Sequence, residues 1–330
     1  ETIDVIILAD RSTKTLVKQI KSLGGSVSQQ YKNVTAVAAT IPADKLGLVA
    51  TLSGVTSVQK DEMVYLPEEK DDELRPMSYV VEDMAGIEVQ SIDLANITSS
   101  ELPEGYANFL YTGALSLWDD EDPTSKGEGT IVAVVDTGTY PNVCLDHAVI
   151  GVSGFEDGYN AIDDDIPATS PLNHWHGTHV SGVIASNCVY DFSSVPSHPI
   201  YQAQLPYLGW PVNFLPILGQ APSAQIYPVK VFPADGSGSP TSVILDGLDH
   251  VLSLKKQGVL DIDIINMSLG GPTYWDGRDV YDRFLEQLVD ADILVVTSAG
   301  NEGPVPNSVG SPGTSFGALS VGALDYAPSS

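Results

Sequence analysis

Three apolar runs that end in glycine constrain what this chain can fold into: "GTIVAVVDTG", "IDIINMSLGG" and "ILVVTSAGNEG", with "AQIYPVKVF" as a fourth. Helical stretches such as "TSVILDGLDHVLSLKKQG" and "VYDRFLEQLVDAD" lie between them. Continuous apolar strands alternating with helices predict an α/β architecture from about Gly105 to the last residue, a doubly wound, mostly parallel sheet with helices on both faces. In such sheets function collects at the carboxyl ends of the strands.

The chain upstream reads differently. Residues 1–66 alternate strand and helix as β-α-β-β-α-β, with "TIDVIILA", "NVTAVAATI" and "VTSVQKDEMVYL" as strands, a short extra strand near "GGSVSQQY", and "STKTLVKQIKSLGG" and "PADKLGLVATLSG" as helices. That order predicts a small ferredoxin-like α+β unit. Residues 67–104, with "PEEKDDELRP", read as an exposed acidic linker. Residues 189–221, rich in Tyr and Pro, read as a long ordered loop inserted in the larger unit. Asn33-Val34-Thr35 and Asn96-Ile97-Thr98 match the glycosylation acceptor pattern, which often arises by chance.

The net charge of −28 repels phosphate and argues against a nucleic-acid partner. No apolar run reaches the length of a membrane span. No basic-then-apolar leader precedes Glu1, so any secretion signal is expected to have been removed or to lie outside this numbering. Two cysteines, Cys144 and Cys188, are too few for a disulfide framework and leave one bridge or two buried thiols open.

Asp136 closes the apolar run "VAVVD", and an acid there must be paired or hydrogen-bonded. Forty residues on, "NHWHGTHVSGVIAS" places His174, His176 and His179 at the start of a helix of small residues. Zinc is set aside, because no Glu accompanies the histidines in the HExxH manner and Gly177 suits a helix start. Alone, Asp136 could be a metal ligand, a capping residue or a catalytic carboxylate, but an acid at a strand end together with His-Gly-Thr-His at a helix start is a much more specific pattern.

The motifs "VAVVDTG" (132–138), "HGTHVSG" (176–182), "NMSLG" (266–270) and "SAGNEG" (298–303), in this order, resemble the subtilisin family of serine peptidases. Residues 1–66 resemble that family's inhibitory, chaperoning propeptide, and "VGSPGTS…ALSVGA" is similar to secreted members with an inserted protease-associated domain. The resemblance implies a secreted serine endopeptidase acting through an Asp-His-Ser triad. Asp136 would orient His176, His176 would serve as base and then acid, and Asn301 would donate to the oxyanion. Ser268, Leu269 and Gly270, with Ser298, Ala299 and Gly300, would pair with extended peptide and wall the first specificity pocket. Calcium is the cofactor it implies, with Asp157 and Asp163–Asp165 as an acidic loop.

Ser315 is not read as the nucleophile. Leu319 and Val321 alternate with small residues, and two glycines within six positions favour a strand rather than the long helix a family nucleophile opens. This chain alone is therefore expected to be inactive, the serine residing on a downstream segment or a second fragment of the same precursor. The competing class is a non-catalytic binding or assembly protein with the same fold. With residues 1–66 as propeptide, their sheet is expected to pack on the larger unit and their carboxyl end to approach the peptide groove.

Overall fold

The computed structural model describes residues 1–66, 86–91, 112–118, 122–162, 164–205, 213–273 and 279–323. Thr2–Ala9 (β1) is β-branched and apolar, and its alternation sends side chains to two different cores. Val5 and Ile7 face the unit's own helices, Thr13–Ser22 (α1) and, beyond the strands Ser26–Gln30 (β2) and Ala36–Pro42 (β3), Leu46–Ala50 (α2). Leu16 and Ile20, one turn apart on α1, fill that side. Val55–Lys60 (β4) completes a four-stranded antiparallel sheet in the order β2-β3-β1-β4, and Met63–Val64 (β5) follows.

Glu88–Ser91 (β6) and Ala114–Leu117 (α3) precede the central strand Ile131–Asp136 (β7). Next come Tyr159–Asn160 (β8), His176–Ala185 (α4), Asn187–Asp191 (β9), Pro199–Gln204 (α5) and Phe214–Leu218 (β10). Gln225–Lys230 (β11), Ser239–Pro240 (β12), Thr241–Lys256 (α6), Ile264–Met267 (β13), Val280–Val289 (α7), Leu294–Ser298 (β14) and Ala318–Val321 (β15) complete the order. Six of these strands form one wholly parallel sheet, β15-β14-β13-β7-β11-β8. Its central strands β7 and β11 are buried because helices cover both faces: α4 packs over Val132, Val134 and Ile226, and α6 and α7 cover Ala133, Val135 and Val229.

The other face of β1, with Ile6 and Leu8, joins Tyr31, Val34 and Val64 in one core with Ile244, Leu248 and Phe284 of the larger unit. The Tyr31 and Phe284 rings meet edge to face at 4.9 Å between centroids. Residues 1–66 thus lie sheet-down on α6 and α7. Asn33, in the first glycosylation pattern, donates through its side-chain amide to the Asp249 carbonyl and to Ser253 Oγ inside this contact, leaving no room for a glycan.

Two expectations about connecting segments are corrected. Residues 189–221 are not a long loop, because β9, α5 and β10 form ordered elements within or overlapping that span. Pro216 is tolerated because β10 is an edge strand. Phe192 and Tyr201 stack at 5.2 Å beneath this layer. The acidic span 67–104 is not wholly a linker either, since β6 pairs antiparallel with β9 as the third strand of that sheet. Apart from residues 86–91, this span, with Asn96-Ile97-Thr98, lies outside the described residues. Cys144 and Cys188 form a disulfide, closing the choice the sequence left open. Among the described residues no helix is long and apolar enough to cross a membrane.

Candidate active site

Asp136 sits at the carboxyl end of the central strand, fully buried. His176 opens α4 with a side chain 15% exposed, and its Nδ1 lies 2.8 Å and 2.9 Å from the two Asp136 carboxylate oxygens. Thr137 sets this contact. Its N–H donates to Asp136 Oδ1 at 2.7 Å, its hydroxyl donates to the His174 carbonyl at 2.8 Å, and the same hydroxyl accepts the Gly177 N–H at 2.9 Å. The residue after the acid therefore grips the chain on both sides of His176.

Close approach requires glycine at two points. A Cβ on Gly177 would stand 2.2 Å from the Gly138 carbonyl oxygen. Gly138 itself has φ +99°, and a Cβ there would stand 2.3 Å from the Ala168 oxygen.

Burial by itself would depress the His176 pKa. The hydrogen bond to Asp136 and that residue's negative charge outweigh burial, so the imidazole is held above its ordinary value. His179 moves the other way, lowered by burial and then by the charge of His176. The rings of His174, His176 and His179 surround Trp175 at 5.2, 5.7 and 5.8 Å between centroids. Nδ1 of His176 is committed to Asp136, which leaves its Nε2 as the ring nitrogen not engaged by that carboxylate.

Ser268, Leu269 and Gly270 follow β13; Ser298 ends β14, and Ala299 and Gly300 follow it. The two segments lie side by side, Ser298 Oγ donating to the Leu269 carbonyl at 3.3 Å. Asn301 is exposed on the next turn, its N–H donating to the Glu302 carboxylate at 2.9 Å. Among the described residues it makes no hydrogen bond to Asp136 or His176. Ser315 lies in the turn before β15, 7% exposed, and its hydroxyl donates to Asp282 of α7 at 2.6 Å.

In the described part of the acidic loop, Asp157 and Asp164 are engaged by protein partners. The carboxylate oxygens of Asp164 accept from Lys230, Asn160 and the Ile166 N–H, and Asp157 Oδ1 accepts from Thr169. Asp163 lies outside the described residues. Thr137 and the Lys230–Asp164 pair were not singled out from the sequence. A lysine inside the apolar run "AQIYPVKVF" was the available signal for the second.

The model of the Subtilase family, Peptidase_S8, matches residues 127–330. The chain belongs to the subtilase family. It is 32% identical over 287 residues to pyrolysin of Pyrococcus furiosus, covering 75% of this chain and 19% of that protein. It is 28% identical over 310 residues to subtilisin E of Bacillus subtilis, covering 93% of this chain and 60% of the relative. The chain therefore spans less than two thirds of the length of these curated relatives. Among solved structures, fervidolysin from Fervidobacterium pennivorans superposes with a TM-score of 0.61 at 20% identity, covering 99% of this chain and 44% of that one, a likeness of fold. The parallel sheet and its helices are those of this subtilase fold.

Proposed function

We propose that this chain is the propeptide-bearing amino-terminal part of a secreted serine endopeptidase, of the kind with a protease-associated insertion. The observation that carries the reading is the contact of His176 Nδ1 with both oxygens of buried Asp136. A carboxylate there holds the proton on Nδ1, leaves the Nε2 lone pair free to accept a serine proton, and stabilises the imidazolium that results. His176 then returns that proton to the leaving amine. The attacking serine belongs, on this reading, to a downstream segment or a second fragment of the same precursor, and the 330-residue chain by itself does not turn over peptide. Asn301 supplies a side-chain N–H to the oxyanion, a role whose loss lowers turnover by roughly 10²–10³ in subtilisin itself. Ser268–Gly270 and Ser298–Gly300 offer main-chain groups to an extended substrate.

Residues 1–66 act as a ferredoxin-like inhibitory propeptide. Two features support this. β5 pairs antiparallel with β12, Val64 opposite Ser239 and Met63 opposite Pro240, so the end of the unit lies along an edge strand as a peptide would. Asp61 also accepts the Ser242 N–H at 2.9 Å at the start of α6, whose own N-cap, Pro240, has no side-chain donor or acceptor. The disulfide is consistent with an oxidising compartment.

The test is labelling of the longer precursor by a fluorophosphonate. A serine outside residues 1–330 should be labelled, with labelling slowed about 10⁴-fold by Asp136→Asn. No labelling of a folded, propeptide-free precursor would leave the binding protein as the better reading.

A further inference from the structure

β11 runs buried from Ile226 to Lys230, and the Lys230 side chain at its end is fully buried. A buried ammonium is tolerated only when paired and hydrogen-bonded. Lys230 Nζ donates to Asp164 Oδ2 at 2.7 Å and to the Ile166 carbonyl at 3.0 Å. Asp164 Oδ1 accepts in turn from Asn160 Nδ2 at 3.0 Å and from the Ile166 N–H at 3.1 Å, and the Ala161 N–H donates to the Lys230 carbonyl at 2.9 Å. The start of this loop is thus wrapped around one cation.

The same loop delivers the imidazole. Its Ala168 carbonyl accepts the Thr139 N–H at 2.8 Å, and it runs on to His174 and His176. Lys230 stands directly opposite Asp136 in the β7–β11 ladder, and the Val231 N–H donates to the Asp136 carbonyl at 2.8 Å. One buried side chain therefore ties the loop that carries His176 to the strand beside Asp136.

We propose that Lys230 and Asp164 are positioning residues for His176, setting the imidazole against Asp136 through the loop between them. This rests on the reading of His176 as the catalytic base. A purely structural pair would change melting temperature alone, whereas a positioning pair also changes the imidazole's own titration.

The experiment is NMR of the intact chain, following the downfield Nδ1 proton of His176 and its ring titration in wild type, Asp164→Asn and Lys230→Met. Asp164→Asn keeps the side chain's shape and removes its charge; Lys230→Met keeps the aliphatic stem. In variants whose β7 amides stay protected, the Nδ1 proton signal should be lost and the titration midpoint should fall towards that of a free imidazole. Should Lys230→Met unfold, Asp164→Asn decides. Should both unfold, Asp164→Glu, which keeps the charge but lengthens its reach, should shift the same signals in a folded chain. A folded variant with wild-type titration and Nδ1 proton overturns the proposal. The readout needs neither nucleophile nor substrate, so it stands if the precursor is not labelled. A wild-type chain lacking the Nδ1 proton would instead overturn the reading of His176 itself.

Discussion

Asn33 and Asp249 hold each other at two points: the Asn33 N–H meets Asp249 Oδ1 at 2.8 Å, and the Asn33 side-chain amide donates to the Asp249 carbonyl at 3.0 Å. The Lys32 N–H donates to the second carboxylate oxygen at 2.8 Å, and Asp249 is only 3% exposed. Removing it leaves two N–H groups without their acceptor. With hydrogen bonds to a charged group worth about 1.5–3 kcal/mol each, Asp249→Ala should raise the open population of this contact on the order of 10²-fold. Hydrogen exchange of the Lys32 and Asn33 amides measures this directly; unchanged protection would show the carboxylate to be incidental.

The same contact responds to pH in the opposite sense to an ordinary salt bridge. Burial raises the Asp61 carboxyl above its usual range despite the hydrogen bonds from Ser242, and burial likewise raises Asp246 despite its bond from Tyr159. Docking therefore takes up protons, so it is strongest in acid and weakens as pH rises through these raised values. Residues 1–66 carry seven basic and six acidic side chains within a chain of net charge −28, so salt should loosen docking as well. Dissociation of the two units after a specific cut between Leu66 and Gly86, followed against pH and ionic strength, checks both; release favoured by acid would contradict the first.

His176 gives a second pH signature. Its raised pKa means that the ion pair with Asp136 stabilises the fold fully below the unfolded imidazole's pKa, and that this contribution is lost as pH rises through the folded value. Asp136→Asn should flatten that dependence in denaturant titrations spanning roughly pH 5 to 9. An equally steep curve in the variant would assign it to other groups.

Gly177→Ala places a methyl where only 2.2 Å separates the Cβ position from the Gly138 oxygen. The first turn of α4 must then lift from β7. The expected outcome is a folded chain whose His176 has lost its raised pKa, destabilised by about 1–3 kcal/mol as for overpacking elsewhere. Wild-type titration in this variant would mean the helix shifts without carrying the imidazole along.

Reducing the Cys144–Cys188 bond, which spans 44 residues of sequence, should cost up to about 4 kcal/mol by loop-closure entropy. Thermal melts of the Cys144→Ala/Cys188→Ala double variant against wild type read the effect. No change in melting temperature would indicate that the β9 region opens independently of the parallel sheet.

Much of the large sheet could be read from the chain because its strands are apolar along their whole length, as in "GTIVAVVD", and because three of them run on into glycine. The Asp136–His176 pair was legible for the same reason: an acid ending a buried strand and an imidazole opening a small-residue helix each have a local signature. β6 had none. Four residues in an acidic stretch form a strand only because β9, about a hundred residues later, offers an edge. β10 was obscured by Pro216, which an edge strand tolerates. The contacts of Asp61, Asp249 and Lys230 depend on partners up to about two hundred positions away, which no local pattern encodes.

The short pairing of Met63–Val64 with Ser239–Pro240 also sets a threshold for visitors. A segment tethered in the same chain competes at an effective concentration on the order of millimolar. An extended ligand that used those main-chain groups would have to displace a neighbour that never diffuses away.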